Sequence, residues 1–173
     1  GMYDLILLIG TAGIGKTTIG RLLEEKFNIP YINYGWLRQF YRDIHWKIDS
    51  KEERYAFEQL KKMLLNHIRL GYKNIVVDDL PLFKPSRVIH LAKYFKDSKY
   101  IIISLVVDDD KILKQRVMDE TRDSGLKDVE KAIEWNRELK ASKLLSNEYR
   151  IDTTKKNVHE VVEEIKTLID NKF

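Results

Sequence analysis

Residues 3–17 read Tyr-Asp-Leu-Ile-Leu-Leu-Ile-Gly-Thr-Ala-Gly-Ile-Gly-Lys-Thr, and this stretch decides the fold. Tyr3 to Ile9 is a nearly continuous apolar run that stops at Gly10, as expected for the central strand of a parallel sheet covered on both faces. Gly10 to Thr17 is a full match to G-x-x-x-x-G-K-[ST]. Thr17 to Phe27 then reads as a helix, with Ile19, Leu22, Leu23 and Phe27 on one face and Pro30 beyond its end. Strand, glycine-rich turn and helix arrive in the order that turns backbone N–H groups and a helix N-terminus onto phosphate oxygens. The expected phosphate-binding residues are Gly10, Ala12, Gly13, Ile14, Gly15, Lys16, Thr17 and Thr18. Lys16 would bring a point charge to the β- and γ-phosphates of ATP, and the Thr17 hydroxyl would ligate Mg²⁺.

Outward from this stretch, short apolar runs recur at Tyr31–Asn33, Asn74–Asp78, Tyr100–Val107 and Tyr149–Ile151, separated by helical patterning. In a helix starting near Lys51, Phe57, Leu60, Leu64 and Ile68 keep one face apolar, and Gly71 sits where a helix usually stops. Val158, Val161, Val162, Ile165, Leu168 and Ile169 follow i, i+3, i+4, i+7 spacing in a last helix. This alternation predicts a three-layer α/β domain of about five parallel strands with helices on both faces, and ligands at the carboxyl ends of the strands.

The 173 residues fit one domain, 1–173. With 43% hydrophobic and 34% charged residues the composition is globular, and no apolar run approaches the ~18 to 20 residues that span a bilayer. A cytoplasmic, unexported protein without a membrane partner is expected. Zero Cys excludes disulfides, thiolate nucleophiles and Cys-type zinc sites, and the four His show no metal spacing. A net charge of +4 mildly favours anionic ligands but falls short of a nucleic-acid binder's basic arm.

A nucleotide site of this kind needs an acid at the end of a second buried strand. Asn74-Ile-Val-Val-Asp78-Asp79 offers it: Asp78 as the holder of the metal's water shell, Asp79 as a base or orienting group toward an acceptor. Acids also end strands and start turns for ordinary reasons. Charge on the migrating phosphoryl group is expected from Arg116 and Arg122, whose planar forks hold phosphate oxygens bidentately. A solvated helix surface is the competing reading for both. Asp108-Asp109-Asp110 reads as a cap on the following helix. Tyr34, Trp36, Phe40, Tyr41 and Trp46 would either stack on an acceptor or pack a helix face.

These residues resemble the P-loop kinase group of nucleoside monophosphate kinases, shikimate and gluconate kinases and polynucleotide-kinase-like phosphotransferases, over almost the whole chain. The resemblance implies a P-loop NTPase fold with ATP as donor, Mg²⁺ as cofactor, an acceptor-binding segment at about 33–70 and a short lid at about 116–127. Tyr31-Ile-Asn-Tyr-Gly35-Trp-Leu-Arg38 is similar to the acceptor segment of adenylate and cytidylate kinases, which implies acceptor contacts at Asn33, Gly35, Arg38 and Arg42, with the arginines out of the usual register. Asp78-Asp-Leu-Pro81 resembles the Asp-Gly-Phe-Pro-Arg element of adenylate kinases, with Asp79 in place of Gly and Leu82 in place of Arg; a double Asp is more similar to kinases of hydroxyl groups. Arg116 and Arg122 match the general place of lid arginines. Asp152-Thr153-Thr154 is similar to the segment beside the adenine ring.

The sequence therefore predicts transfer of the γ-phosphoryl group to a small acceptor, a nucleotide or nucleoside in the leading reading. The alternative acceptor is a non-nucleotide hydroxyl, on a sugar acid, a shikimate-like metabolite or a polynucleotide end. That last case is the one in which nucleic acid would be a partner. A nucleotide-binding regulator with little turnover is the rival of another class, and it would need a switch segment and partner surface that the sequence does not display.

Overall fold

The computed structural model describes residues 3–42, 47, 49–80, 85–121 and 129–170. Among these residues lie five strands, β1 (Leu5–Gly10), β2 (Tyr31–Asn33), β3 (Ile75–Asp78), β4 (Tyr100–Val106) and β5 (Glu148–Asp152), interspersed with six helices. The helices are α1 (Lys16–Phe27), α2 (Lys51–Arg69), α3 (Pro85–Tyr94), α4 (Asp110–Thr121), α5 (Val129–Ala141) and α6 (Val158–Asp170). A 3₁₀ segment, Tyr34–Phe40, follows β2. The strands form one sheet of order β2-β3-β1-β4-β5 in which every pairing is parallel. The predicted three-layer α/β domain is the observed one.

The position of β1 follows from its composition. Every one of its residues is buried, because each strand face meets helices and each strand edge meets another strand. Ile6 and Leu8 face one layer, packed with Ile19 and Leu23 of α1, Leu113 and Val117 of α4, and Val161, Val162 and Ile165 of α6. Leu5 and Leu7 face the other, with Phe57, Leu60 and Leu64 of α2 and Leu91 of α3. The two apolar clusters on opposite faces of the sheet are the cores of the sandwich.

Local signals end the helices where the sequence suggests. Asn28 closes α1 in the left-handed conformation at φ 55°, its N–H donating to the Glu24 carbonyl. Ser50 caps α2, its hydroxyl accepting from the Glu53 N–H, and Gly71 follows the helix at φ 93°. The Asp109 carboxylate accepts the Lys111 N–H at 2.8 Å at the start of α4, so the acidic run is a cap. Among the described residues no helix is long and apolar enough to cross a membrane.

Candidate active site

β1 delivers Gly10 to the carboxyl edge of the sheet, between β3 on one side and β4 on the other. The loop then takes two left-handed steps, Gly13 at φ 81° and Gly15 at φ 93°. Gly13 is also a close approach: a Cβ there would lie 2.7 Å from the Val117 Cα, so α4 leans directly on the loop. The Thr11 hydroxyl ties it to α5 by donating to the Ala132 carbonyl at 2.9 Å. Gly15 caps α1 without a side-chain hydrogen bond, which leaves the first-turn N–H groups to a ligand. The Lys16 ammonium folds back and donates to the Gly10 carbonyl.

One strand, β3, brings both acids to the loop, and β2 beside it brings Tyr31 and Asn33. Asp78 ends β3, opposite Asn33 in the register with β2, and is 1% exposed. It accepts from the Tyr31 hydroxyl at 2.6 Å and from the Asp79 N–H. Burial pushes the Asp78 carboxyl above the usual carboxylate range and the Asp79 charge adds to the push, against the opposing pull of Lys16 and the Tyr31 hydroxyl. The same burial, with the Asp78 charge beside it, holds the Tyr31 phenol well above its ordinary value, so it stays a neutral donor. The Thr17 side chain interacts with that same phenol, so the hydroxyl and the carboxylate expected to hold a metal share Tyr31 as a neighbour. One hydroxyl and one buried carboxylate fit Mg²⁺, a hard cation that takes few protein oxygens and keeps several waters.

Asp79 turns outward. It is exposed and sits at φ 67°, in the left-handed region where a non-glycine residue carries strain. Its carboxylate presses on Gly35: a Cβ at Gly35 would fall well inside contact with Asp79 Oδ2 and 3.0 Å from Asn33 Oδ1. Asn33 in turn accepts the Gly35 N–H at 2.7 Å and starts the 3₁₀ segment. Lys16, Thr17, Asp78, Asp79, Asn33 and Gly35 thus meet at one edge of the sheet.

Other expected residues lie elsewhere. Arg38 and Arg42 are exposed toward the end of the 3₁₀ segment and just after it. Arg116 lies within α4, so the first part of the expected lid is helix; Arg122 and residues 122–128 lie outside the described residues. The Arg116 fork donates to the Thr153 hydroxyl at 3.0 Å and to the Thr153 carbonyl at 2.9 Å. Thr153 hangs from the Val106 carbonyl at the end of β4, and Asp152 accepts the Thr154 N–H at 3.0 Å. Gly13, Gly15, Thr18, Arg116, Thr153 and Val158 border a cavity of about 600 Å³, next to the phosphate loop on the β5 side.

Of the aromatic residues after β2, Tyr34 is core: it is buried, edge-on to Phe57 with centroids 5.9 Å apart, and donates to Glu53. Trp36 stands edge-on to Tyr31 at 5.4 Å, with Arg21 against its face, and Phe40 is 81% exposed. Trp46 and His45 lie outside the described residues. The sequence reading missed the buried group behind Tyr34. Glu53, 1% exposed, pairs with Arg87 of α3, whose fork also holds Asp49 at 2.9 Å. Only half of this had a signal, the Ser50-x-x-Glu53 pattern of a helix start.

A family model described as an AAA domain matches residues 9–134. Among curated proteins, a putative adenylate kinase from Thermococcus kodakarensis is 29% identical over 175 residues, covering 95% of this chain and 85% of the relative. A shikimate kinase from Azobacteroides pseudotrichonymphae is 34% identical over 73 residues, 42% of this chain. The chain spans 43% of that relative's length and as little as 15% of another's. Among solved structures, a gluconokinase from Sinorhizobium meliloti superposes with a TM-score of 0.63 at 17% identity, covering 92% of this chain and 87% of the other. With the family match spanning most of the chain and the parallel sheet shared with these structures, the chain belongs to the AAA-domain family and has the fold of the P-loop kinases.

Proposed function

We propose that the protein is a phosphotransferase that moves the γ-phosphoryl group of ATP to a hydroxyl group of a small acceptor, with Mg²⁺ as cofactor. The observation that carries the hydroxyl is the Asp79 carboxylate, exposed next to buried Asp78 and aimed across Gly35, where no side chain intervenes. A carboxylate in this place repels an incoming phosphate but accepts the proton of an attacking hydroxyl.

In this reading the first-turn N–H groups of α1 and the Lys16 ammonium, released from the Gly10 carbonyl, hold the β- and γ-phosphates. Thr17 and Asp78 would hold Mg²⁺, which when bound neutralises charge on the phosphate oxygens. Asp79 takes the acceptor proton as the acceptor oxygen bonds to the γ-phosphorus and ADP leaves. The cavity beside Arg116, Thr153 and Val158 receives the nucleoside end of ATP. Catalysis is positioning and charge neutralisation, with Arg122 as the candidate to supply further charge.

A nucleoside monophosphate acceptor is the second reading, favoured by the similarity to the Thermococcus protein along 95% of this chain. ADP release is measured with no acceptor, with nucleosides, gluconate and shikimate, and with AMP and CMP. Acceptor-dependent turnover with a hydroxyl compound is the expected outcome. Turnover confined to monophosphates overturns the hydroxyl assignment, and equal release in all arms overturns the kinase reading.

A further inference from the structure

Tyr31 occupies an unusual place for a strand aromatic. Its ring lies flat against α1 at Gly20, where a Cβ would come 2.5 Å from the Tyr31 Cδ1 and closer still to Cε1. A glycine inside a helix costs about 1 kcal/mol relative to alanine, so this contact is obtained at the expense of helix stability. What the close approach achieves is the placement of one oxygen. The Tyr31 hydroxyl donates to Asp78 Oδ2 at 2.6 Å, lies 3.3 Å from the Asn33 amide nitrogen that donates to it, and meets the Thr17 side chain. The ring is 5% exposed and its outer edge abuts Trp36. A phenylalanine would fill the same space between β2 and α1, so the hydroxyl is not required for packing.

The geometry points to Tyr31 as a positioning residue for the divalent cation: its hydroxyl fixes the Asp78 carboxylate relative to Thr17, so that the two are held ready as a pair. The inference rests on the phosphotransferase reading and assigns a role to a residue outside the phosphate loop and the acid pair. One carboxylate oxygen of Asp78 is taken by Tyr31 and the other by the Asp79 N–H, so the orientation of the carboxylate is set by these two donors. Without the phenol, the Oδ2 side of a buried carboxylate loses its donor and the carboxylate is free to rotate.

The test is Mn²⁺ binding to the full chain in the presence of a non-hydrolysable ATP analogue, followed by electron paramagnetic resonance. Tyr31→Phe should weaken Mn²⁺ binding roughly tenfold, leave metal-free analogue binding unchanged, and respond to excess Mg²⁺ in turnover. In an Asp78→Asn background the same substitution should add nothing further, because its effect passes through that carboxylate. Unchanged Mn²⁺ affinity in Tyr31→Phe, or an equal loss in both backgrounds, overturns the proposal. If Tyr31→Phe does not fold, Gly20→Ala displaces the ring with its hydroxyl intact, and the same pair of outcomes decides. A wild-type protein that binds no Mn²⁺ with the analogue overturns the phosphotransferase reading and this inference with it; wild-type binding that Tyr31→Phe leaves untouched overturns the inference alone.

Discussion

The two ends of the candidate site are built by different means. On the phosphate side, Gly10 to Thr18 are consecutive in the chain, and backbone shape does most of the work, with two left-handed glycines and a helix whose first turn has no side-chain cap. On the side proposed for the acceptor, Tyr34, Glu53 and Arg87 come from three separate elements and are held by charge and hydrogen bonds below the surface. The first construction is set by residues adjacent in the chain, with Val117 of α4 and Ala132 of α5 braced against it. The second exists only once the 3₁₀ segment, α2 and α3 have docked, so it ties the geometry of the proposed acceptor side to global stability.

The sharpest way to break this contrast is Arg87→Ala. It leaves Glu53 buried without its cation, a situation that costs about 3–5 kcal/mol, and denaturant unfolding should show a loss of that order. Interactions with Arg87, Tyr34 and Asp49 hold the Glu53 carboxyl below its ordinary value of 4.5 although burial alone would raise it. A lowered folded-state value means stability that is present above 4.5 and is lost as pH falls through the folded value. The stability gap between wild type and Glu53→Gln should therefore narrow below about pH 4.5, and a gap that widens there would show that the pair is not the source.

Lys16→Ala should act on the other side alone. Removing a charge that meets the transferring group costs about 2.7 to 4 kcal/mol, or 10² to 10³ in kcat, with the unfolding midpoint unchanged. Equal loss of stability and rate in this variant would erase the distinction between the two ends. Asp79→Asn is expected to lower kcat by roughly 10² with a hydroxyl acceptor while ATP affinity holds, since only the proton acceptor is removed. An unchanged kcat would return the acceptor question to the monophosphates. The smallest effect is expected at Arg116→Ala: loss of its hydrogen bonds to Thr153 should weaken ATP binding by roughly tenfold, read by calorimetry, with kcat at saturation little altered. A larger effect on kcat than on binding would place Arg116 with the phosphoryl group after all.

How much was legible in the sequence follows the same division. Periodicity and glycine placement report on neighbours in the chain, and β1, the loop, α1, α2 and α6 lie close to where those signals put them. Asp78 was legible because a charged residue ending an apolar run is conspicuous. The Glu53–Arg87 pair was not, because 34 residues separate partners whose types are ordinary on helix surfaces. Tyr34 looked like any aromatic after a strand, and only docking shows which face is core. Arg116 shows a signal that was present and outweighed: Leu113 and Val117 are both buried and four apart, which continues α4 past the position where the lid was expected to start. The left-handed turn at Asp79 had no sequence mark beyond the Asp itself, one of the residue types that tolerates it.

The contact between Gly13 and Val117 makes α4 a lever whose fulcrum is the phosphate loop. Two residues earlier in the loop, Thr11 pins the same segment to α5, and at the position just before Val117, Arg116 grips Thr153. Close-packed interiors do not compress, so a tilt of α4 cannot be absorbed at the contact and must travel into the loop backbone and the Thr153 turn together. In the proposed reading, phosphate in the loop and the attitude of α4 become two sides of one displacement, and a larger side chain at Gly13 would collide with Val117 before it touched any ligand.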